Sequence, residues 1–346
     1  MILIYYLKGT FNYVFSIYLK FNVKLRKSKM VERLNSNLTN EEYITIGKKK
    51  YKIYETLGKG TYGSVVRGVD VTDKRVVVAI KKIKLEGEVE GIPATALREI
   101  SILKGLKHDN IVKILDIELV DDQISLGLEY IKYDLSKFWD AKFDKITPDF
   151  KLIKIIMFQI FAGCDYLHAN KILHRDLKPQ NILIKEEDNK VKIADFGLSR
   201  SYSVPIKNYT KEILTLWYRS PELILGADYY STGIDIWSIG CIMVELFTKR
   251  PFFKGDSEIG QLFKIYEVLG TPNEKELPGF KSYPYFKKEY PYHPDNNLVN
   301  VLLKANIPKD AIDLISKMLI YDSTKRISCK DALKHKFFDE LYVVKK

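Results

Sequence analysis

The chain reads as an α+β protein in two unequal lobes: a small β-rich lobe over 51–130 with one helix in it, and a larger, mainly helical lobe over 131–346. Three observations carry that reading. Between Tyr51 and Glu129, short runs rich in β-branched and aromatic residues alternate with turn signals. From about Ile131 onward, apolar residues recur at helical spacing. With 346 residues, 46% of them hydrophobic and 29% charged, the chain is long and apolar enough to bury a core in one large or two medium domains.

Residues 1–50 stand apart as an N-terminal extension, read as disordered. They hold ten Lys/Arg against three Glu and so carry +7 of the net charge of +12. The +5 left for the other residues asks for no nucleic-acid partner. The opening stretch is apolar but broken by Lys8, Asn12, Lys20 and Asn22. Its longest uncharged piece, Gly9 to Leu19, is too short to span a bilayer. Lys24-Leu25-Arg26-Lys27 follows, where a signal peptide would have small residues. A membrane-surface segment, a disordered tail and an extension ahead of a start at Met30 all fit, the last two together best. Cys164, Cys241 and Cys329 are far apart with no ligand spacing, which suits reduced, buried thiols in a reducing compartment.

The strands are expected at Tyr51–Leu57, Val65–Asp70, Arg75–Ile83, Ile111–Glu118 and Ile124–Glu129. Pro93 opens a helix between the third and fourth, with Ala96, Leu97, Ile100 and Leu103 on one face. Asp149 to Ala169 is apolar nearly all round and predicts a buried helix. The same holds for Asp235 to Phe247, with an acid at its front. Pro272, Pro278, Pro284, Pro291 and Pro294 mark an irregular insert before a last helical portion near Asp310–Leu319.

The chemistry concentrates in His174-Arg175-Asp176-Leu177-Lys178-Pro179-Gln180-Asn181, followed fourteen residues later by Asp195-Phe196-Gly197. This stretch offers a carboxylate for a hydroxyl nucleophile (Asp176), an ammonium for a phosphate (Lys178), and an amide plus a second carboxylate for magnesium (Asn181, Asp195). His174 reads as a packing and hydrogen-bonding residue. Upstream, Gly58-Lys59-Gly60-Thr61-Tyr62-Gly63-Ser64-Val65 can bring backbone N–H groups close to phosphate oxygens. Alone that pattern also fits a hairpin turn. Ala79 and Lys81 follow in Val78-Ala79-Ile80-Lys81, and Lys81 is a point charge for the α/β-phosphates, with Glu99 on the Pro93 helix as its partner. Between Asp195 and Ser220-Pro221-Glu222 stands Thr210. Arg98, Arg175 and Arg200, from three different elements, could converge on a phosphate there.

These motifs are the protein-kinase signature, and over about Tyr51 to Phe338 they resemble the cell-cycle branch of the cyclin-dependent protein kinases, implying the bilobal protein-kinase fold. Pro93-Ala94-Thr95-Ala96-Leu97-Arg98-Glu99 is similar to that family's cyclin-docking helix. Thr210 to Arg219 resembles its activating-threonine segment, and Gly255–Ile259 and Leu269–Pro272 resemble parts of its helical lobe. The resemblance implies a serine/threonine kinase that uses ATP and Mg2+, is switched on by a cyclin and by an activating kinase at Thr210, and is restrained by phosphorylation of Thr61 or Tyr62. It implies substrates with Pro after the target Ser/Thr, read near Ile213, Leu214 and Arg219. Thr215 would bridge Asp176 and Lys178. Glu129 and Ile131 would hold adenine, Leu57 and Val65 would roof the pocket, Leu183 would floor it and Asp134 would contact ribose. A nuclear and cytoplasmic location goes with that reading, with no membrane span. Ala94, Leu97, Leu128 and Gly260 depart from the family's usual residues. Two rivals remain: a mitogen-activated kinase, which would carry Thr-x-Tyr where this chain has Tyr209-Thr210, and a catalytically dead scaffold, which would lack one of Lys81, Asp176, Asn181 or Asp195.

Overall fold

The computed structural model describes residues 42–60, 63–84, 104–120, 123–143, 149–196, 200–201, 216–228 and 230–343. Thr61, Tyr62, the Pro93–Glu99 helix with Arg98 and Glu99, Gly197, and Thr210, Ile213, Leu214 and Thr215 lie outside the described residues. The chain divides into two units, one holding the described residues up to Leu106 and Val112–Tyr130, the other Lys107–Ile111 and everything from Ile131 on.

The first unit is built on an antiparallel sheet of β1 (Tyr43–Ile46), β2 (Lys49–Gly60), β3 (Gly63–Asp70), β4 (Val77–Lys84), β5 (Ile114–Val120) and β6 (Gln123–Glu129). They lie side by side in the order β1-β2-β3-β4-β6-β5. The outer strand β1 also touches β5 and β6, so the sheet curls. The Gly47 N–H, in the β1–β2 turn, donates to Glu118 at 2.9 Å, and Gly47 has φ +63, a conformation open to glycine. Residues 43–50, read from sequence as part of the extension, therefore start the sheet. The physical reason is Tyr43-Ile44-Thr45-Ile46, a β-prone run whose Ile46 is fully buried in the core with Tyr51, Val66, Val78 and Ile80. Register slips between Ile53 and Gly58 bend β2 just before the glycine loop.

The second unit carries β7 (Tyr133–Asp134), α1 (Leu135–Phe143), α2 (Phe150–Ala169), β8 (Ile172–Leu173), β9 (Ile182–Ile184), β10 (Val191–Ile193) and β11 (Arg200–Ser201). Then come α3 (Pro221–Ile224), α4 (Gly233–Thr248), α5 (Glu258–Leu269), α6 (Leu298–Lys304), α7 (Lys309–Met318), α8 (Cys329–Ala332) and α9 (Asp339–Val343). Asp149 caps α2 by accepting from the Lys151 N–H. Helix α4 is buried along almost its whole length and packs against α2 and α7, so it is the post on which this unit is hung. Each Leu or Ile it buries contributes roughly 1.5–3 kcal/mol of transfer free energy. No helix among the described residues is long and apolar enough to cross a membrane.

Candidate active site

The loop 174–181 runs between two short strands and is held from behind. β9 pairs with β10 in a hairpin, Ile182 opposite Ile193, and the Ala194 N–H donates to the Asn181 carbonyl at 2.9 Å. That pairing sets Asn181 and Asp195 at the same end of one hairpin, fourteen residues apart in sequence. Pro179 to Asn181 forms a single 3-10 turn, which folds Asn181 back toward Asp176.

Three side chains meet there. Lys178 Nζ donates to Asp176 Oδ2 at 2.7 Å. Asn181 Nδ2 donates to the same oxygen at 2.9 Å and to the Asp176 carbonyl at 2.8 Å. Both amide hydrogens of Asn181 are thus committed, and its Oδ1 is left as an acceptor. Among the described residues no hydrogen bond reaches Asp176 Oδ1. Asp195 is exposed and adopts φ +64, a left-handed conformation that Asp tolerates better than most residues. Phe196, next to it, is fully buried with its ring 5.2 Å from that of His174.

His174 is itself fully buried. Its Nδ1 accepts from the Asp176 N–H at 3.3 Å, so its Nε2 donates to the Ala194 carbonyl at 2.9 Å. The imidazole pins the loop to the residue before Asp195, which is the packing role its sequence context suggested.

The residue that sequence reasoning missed is Asp235, buried near the start of α4. Its Oδ1 accepts from the Arg175 N–H at 2.8 Å, and its Oδ2 from the His174 N–H at 3.0 Å and from His168 Nε2 at 2.9 Å. Arg175 has φ +73, a strained geometry for a long side chain, and the bond from its N–H to Asp235 holds it there. Burial works against charge on both partners. The His168 hydrogen bond and charge nevertheless keep Asp235 below the usual carboxylate range. On His168, the Cys164 sulfur and the Asp235 carboxylate outweigh burial and push the imidazole up to about 11. A lone acid inside an apolar helical run was the available signal.

Other candidate residues fall into place by unit. In the first, register puts Val65, Ala79 and Lys81 on one sheet face with Leu126 and Leu128, opposite the core face of Val66, Val78 and Ile80. Lys81, Leu57, Ser64 and Glu129 are half-buried. The Glu129 side chain accepts from the Lys113 N–H at 2.7 Å. Gly58 has open space where a Cβ would stand, whereas a Cβ at Gly63 (φ +151) would run into the Lys82 carbonyl, so glycine is needed there. Lys59 and Gly60 end β2.

In the second unit, Leu183 pairs with Asp134 across β9 and β7. The Asp134 carboxylate accepts from the Lys137 N–H at 2.9 Å and lies 3.1 Å from Lys137 Nζ, so it also starts α1. Ile131 is buried. Arg175 stacks its guanidinium 5.5 Å from the Tyr230 ring, Arg200 belongs to β11, whose backbone pairs with Leu173, and Arg219 pairs with Glu258 at 3.1 Å.

Ahead of Arg219, Tyr218 donates from its hydroxyl to Glu245 at 2.6 Å, and its carbonyl accepts from Ser238 at 2.8 Å. Behind it, Glu222 of α3 makes a buried two-pronged pair with Arg326, at 2.7 and 2.8 Å. Both ends of that segment are therefore bolted to the helical core.

The donor set suits a small divalent cation. Asn181 Oδ1 and the Asp195 carboxylate are hard oxygens at one hairpin end, few enough to leave positions for phosphate oxygens and water. The arrangement can align a hydroxyl at Asp176, offset phosphoryl charge at Lys178 and hold a cation opposite. The protein kinase domain model matches residues 51–338, more than four-fifths of the chain.

Proposed function

The chain belongs to the protein kinase family, and from that premise we propose that it is a cyclin-dependent, proline-directed serine/threonine kinase of the cell-cycle branch. As a protein kinase it transfers phosphate from ATP to protein substrates with a divalent cation; the finer reading takes that cation as Mg2+ and the acceptors as Ser or Thr followed by Pro. The observation that carries the transfer chemistry is the Asp176–Lys178–Asn181 cluster, closed at 2.7–2.9 Å.

In this reading the substrate hydroxyl lies against Asp176 Oδ1. Its oxygen attacks the γ-phosphorus as the bond to the β–γ bridging oxygen breaks, and its proton passes to Asp176. Lys178 offsets charge on the equatorial oxygens. Asn181 Oδ1 and Asp195 hold the cation, and Lys81 and Glu99 steady the α/β-phosphates. When bound, the cation neutralises charge that develops between the β- and γ-phosphates. The resemblance assigns Leu57, Val65, Ala79 and Glu129 of the first unit, and Ile131, Asp134 and Leu183 of the second, to contacts with the nucleoside, and Gly58 to Ser64 to its phosphates.

The cyclin-dependent part is supported by the sequence of Pro93–Glu99 and of Thr210–Arg219. A cyclin on that helix, phosphate on Thr210 gathered by Arg98, Arg175 and Arg200, and restraint at Thr61 and Tyr62 make up the regulation. By the resemblance Thr215 is the residue assigned to Asp176 and Lys178, and Ile213, Leu214 and Arg219 are the residues assigned to the substrate proline. The place of action follows as nucleus and cytoplasm.

The test is phosphate transfer by the purified chain with and without a panel of cyclins, to peptides differing only in Pro or Ala after the target Ser. A rise of about 100-fold or more with one cyclin, confined to the Pro peptide, is expected, the scale of a coupling of roughly 3 kcal/mol. Equal rates with and without every cyclin, or equal use of both peptides, would overturn it.

A further inference from the structure

The fold unites two of the three cysteines that sequence spacing kept apart. Cys164 and His168 stand four residues apart on α2, hence on one helix face, with Sγ and Nε2 3.4 Å apart. Cys329 opens α8, which packs against α2. One ligand atom from each of Cys164, His168 and Cys329 lies within 4.8 Å of the others. The two thiols are 0% and 1% exposed, and the His168 side chain is 10% exposed.

We propose that Cys164, His168 and Cys329 form a binding site for a zinc-type divalent cation, set behind the catalytic loop and coupled to it through Asp235. Zinc–sulfur and zinc–nitrogen bonds of about 2.3 and 2.0 Å place ligand atoms of a tetrahedral site roughly 3.5–3.8 Å apart. The Cys164–His168 separation is already there, and Cys329 needs a shift of about an ångström at most. Two thiolates cancel the charge of a divalent cation, which is what a site without water requires.

Binding forms two metal–sulfur bonds and one metal–nitrogen bond. Two thiol protons and the Nε2 proton leave to solvent, and no electrons move. The proton between His168 and Asp235 is the one displaced. Asp235 meanwhile accepts from the His174 and Arg175 N–H groups, so occupancy alters the anchor of the loop that carries Asp176. A Cys164–Cys329 disulfide is the competing use of the same pair. It makes no use of His168 beside the two sulfurs, and an oxidant must reach sulfurs with almost no exposed surface.

The test is cobalt(II) titration of the reduced full-length chain. One cobalt per chain should appear with a thiolate-to-cobalt charge-transfer band and tetrahedral ligand-field bands, all bleached by one equivalent of zinc. A cation held by Asn181 and Asp195 has only oxygen ligands and gives no such charge-transfer band. Cys329→Ser and Cys164→Ser should each lose the band while Cys241→Ser keeps it. Zinc at 100 times Kd should raise the melting temperature of the unmodified chain and leave the Cys164→Ser/Cys329→Ser double variant unmoved. An undiminished band in Cys329→Ser would overturn the site. So would no cobalt uptake by the reduced chain, including the case in which the unreduced chain titrates in denaturant with one thiol instead of three.

Discussion

Asp176, Lys178 and Asn181 form a closed set of hydrogen bonds. Asp176 Oδ2 takes both side-chain donors, so Oδ1 is the oxygen the proposed mechanism assigns to the substrate hydroxyl, while both amide hydrogens of Asn181 are held by Asp176 and its oxygen is left as an acceptor. Asp235 matters one step further back. It touches no reacting atom, yet it carries two backbone N–H groups of the loop and a buried imidazole. Asp235→Asn can replace at most part of that set and loses the charge that His168 faces. The expected outcome is a fall in kcat of about tenfold to a hundredfold with little change in KM for ATP, since slight misplacement of reacting groups acts on that scale. Amide hydrogen exchange at His174 and Arg175 should quicken in the same variant. Unchanged exchange with lowered kcat would argue that Asp235 acts some other way.

Among the elements, α4 and the segment around α3 do the anchoring. Arg326 lies buried against Glu222, with further bonds to the Ile320, Tyr321 and Gly233 carbonyls and its guanidinium 5.0 Å from the Trp237 ring. Arg326→Met leaves a carboxylate buried and unpaired, and should destabilise the fold by about 3–5 kcal/mol. Urea denaturation measures it, and Glu222→Leu in the same chain should recover part of the loss. Loss of equal size in the single and double variants would count against the ion pair as the cause.

The elements also show where sequence pattern suffices. Helices α2 and α4 were legible because apolar residues dominate over their 20 and 16 residues with few charges between. Strand β1 was not, because its four residues sit among charges and gain their meaning only against Tyr51 and β5. Asp235 and Arg326 were invisible as partners, since a contact across 60 or more residues leaves no local periodicity. The loop 174–181 was readable because its chemistry is packed into eight consecutive positions, whereas meeting of Cys164 with Cys329 depends on how α8 docks on α2.

For the molecule as a whole, several carboxylates tie stability to pH in one direction. The hydrogen bonds of Lys317 and then His335 hold Asp313 down to about 2. The Thr72 hydroxyl and N–H hold Asp70 well below its ordinary value. A group lowered on folding contributes stability above its unfolded value, near 4, and loses it as pH falls through the folded value. These carboxylates should make stability decline between about pH 4 and pH 2, while His168, raised from 6.5 to about 11 on folding, works the other way and loses its contribution as pH rises between those values. Asp313→Asn should lower stability at pH 7 and flatten part of that decline. A variant with the same acid profile as the parent would show that Asp313 has no share in it.

The most direct measurement is single-turnover phosphate transfer from ATP to a protein substrate by the active chain and its Asp176→Asn variant, alongside nucleotide affinity. If Asp176 Oδ1 receives the hydroxyl proton from a loop already in place, transfer falls by about a hundredfold or more while ATP binds equally well. Transfer within a factor of about two of the parent, at equal ATP affinity, would contradict that placement of the chemistry.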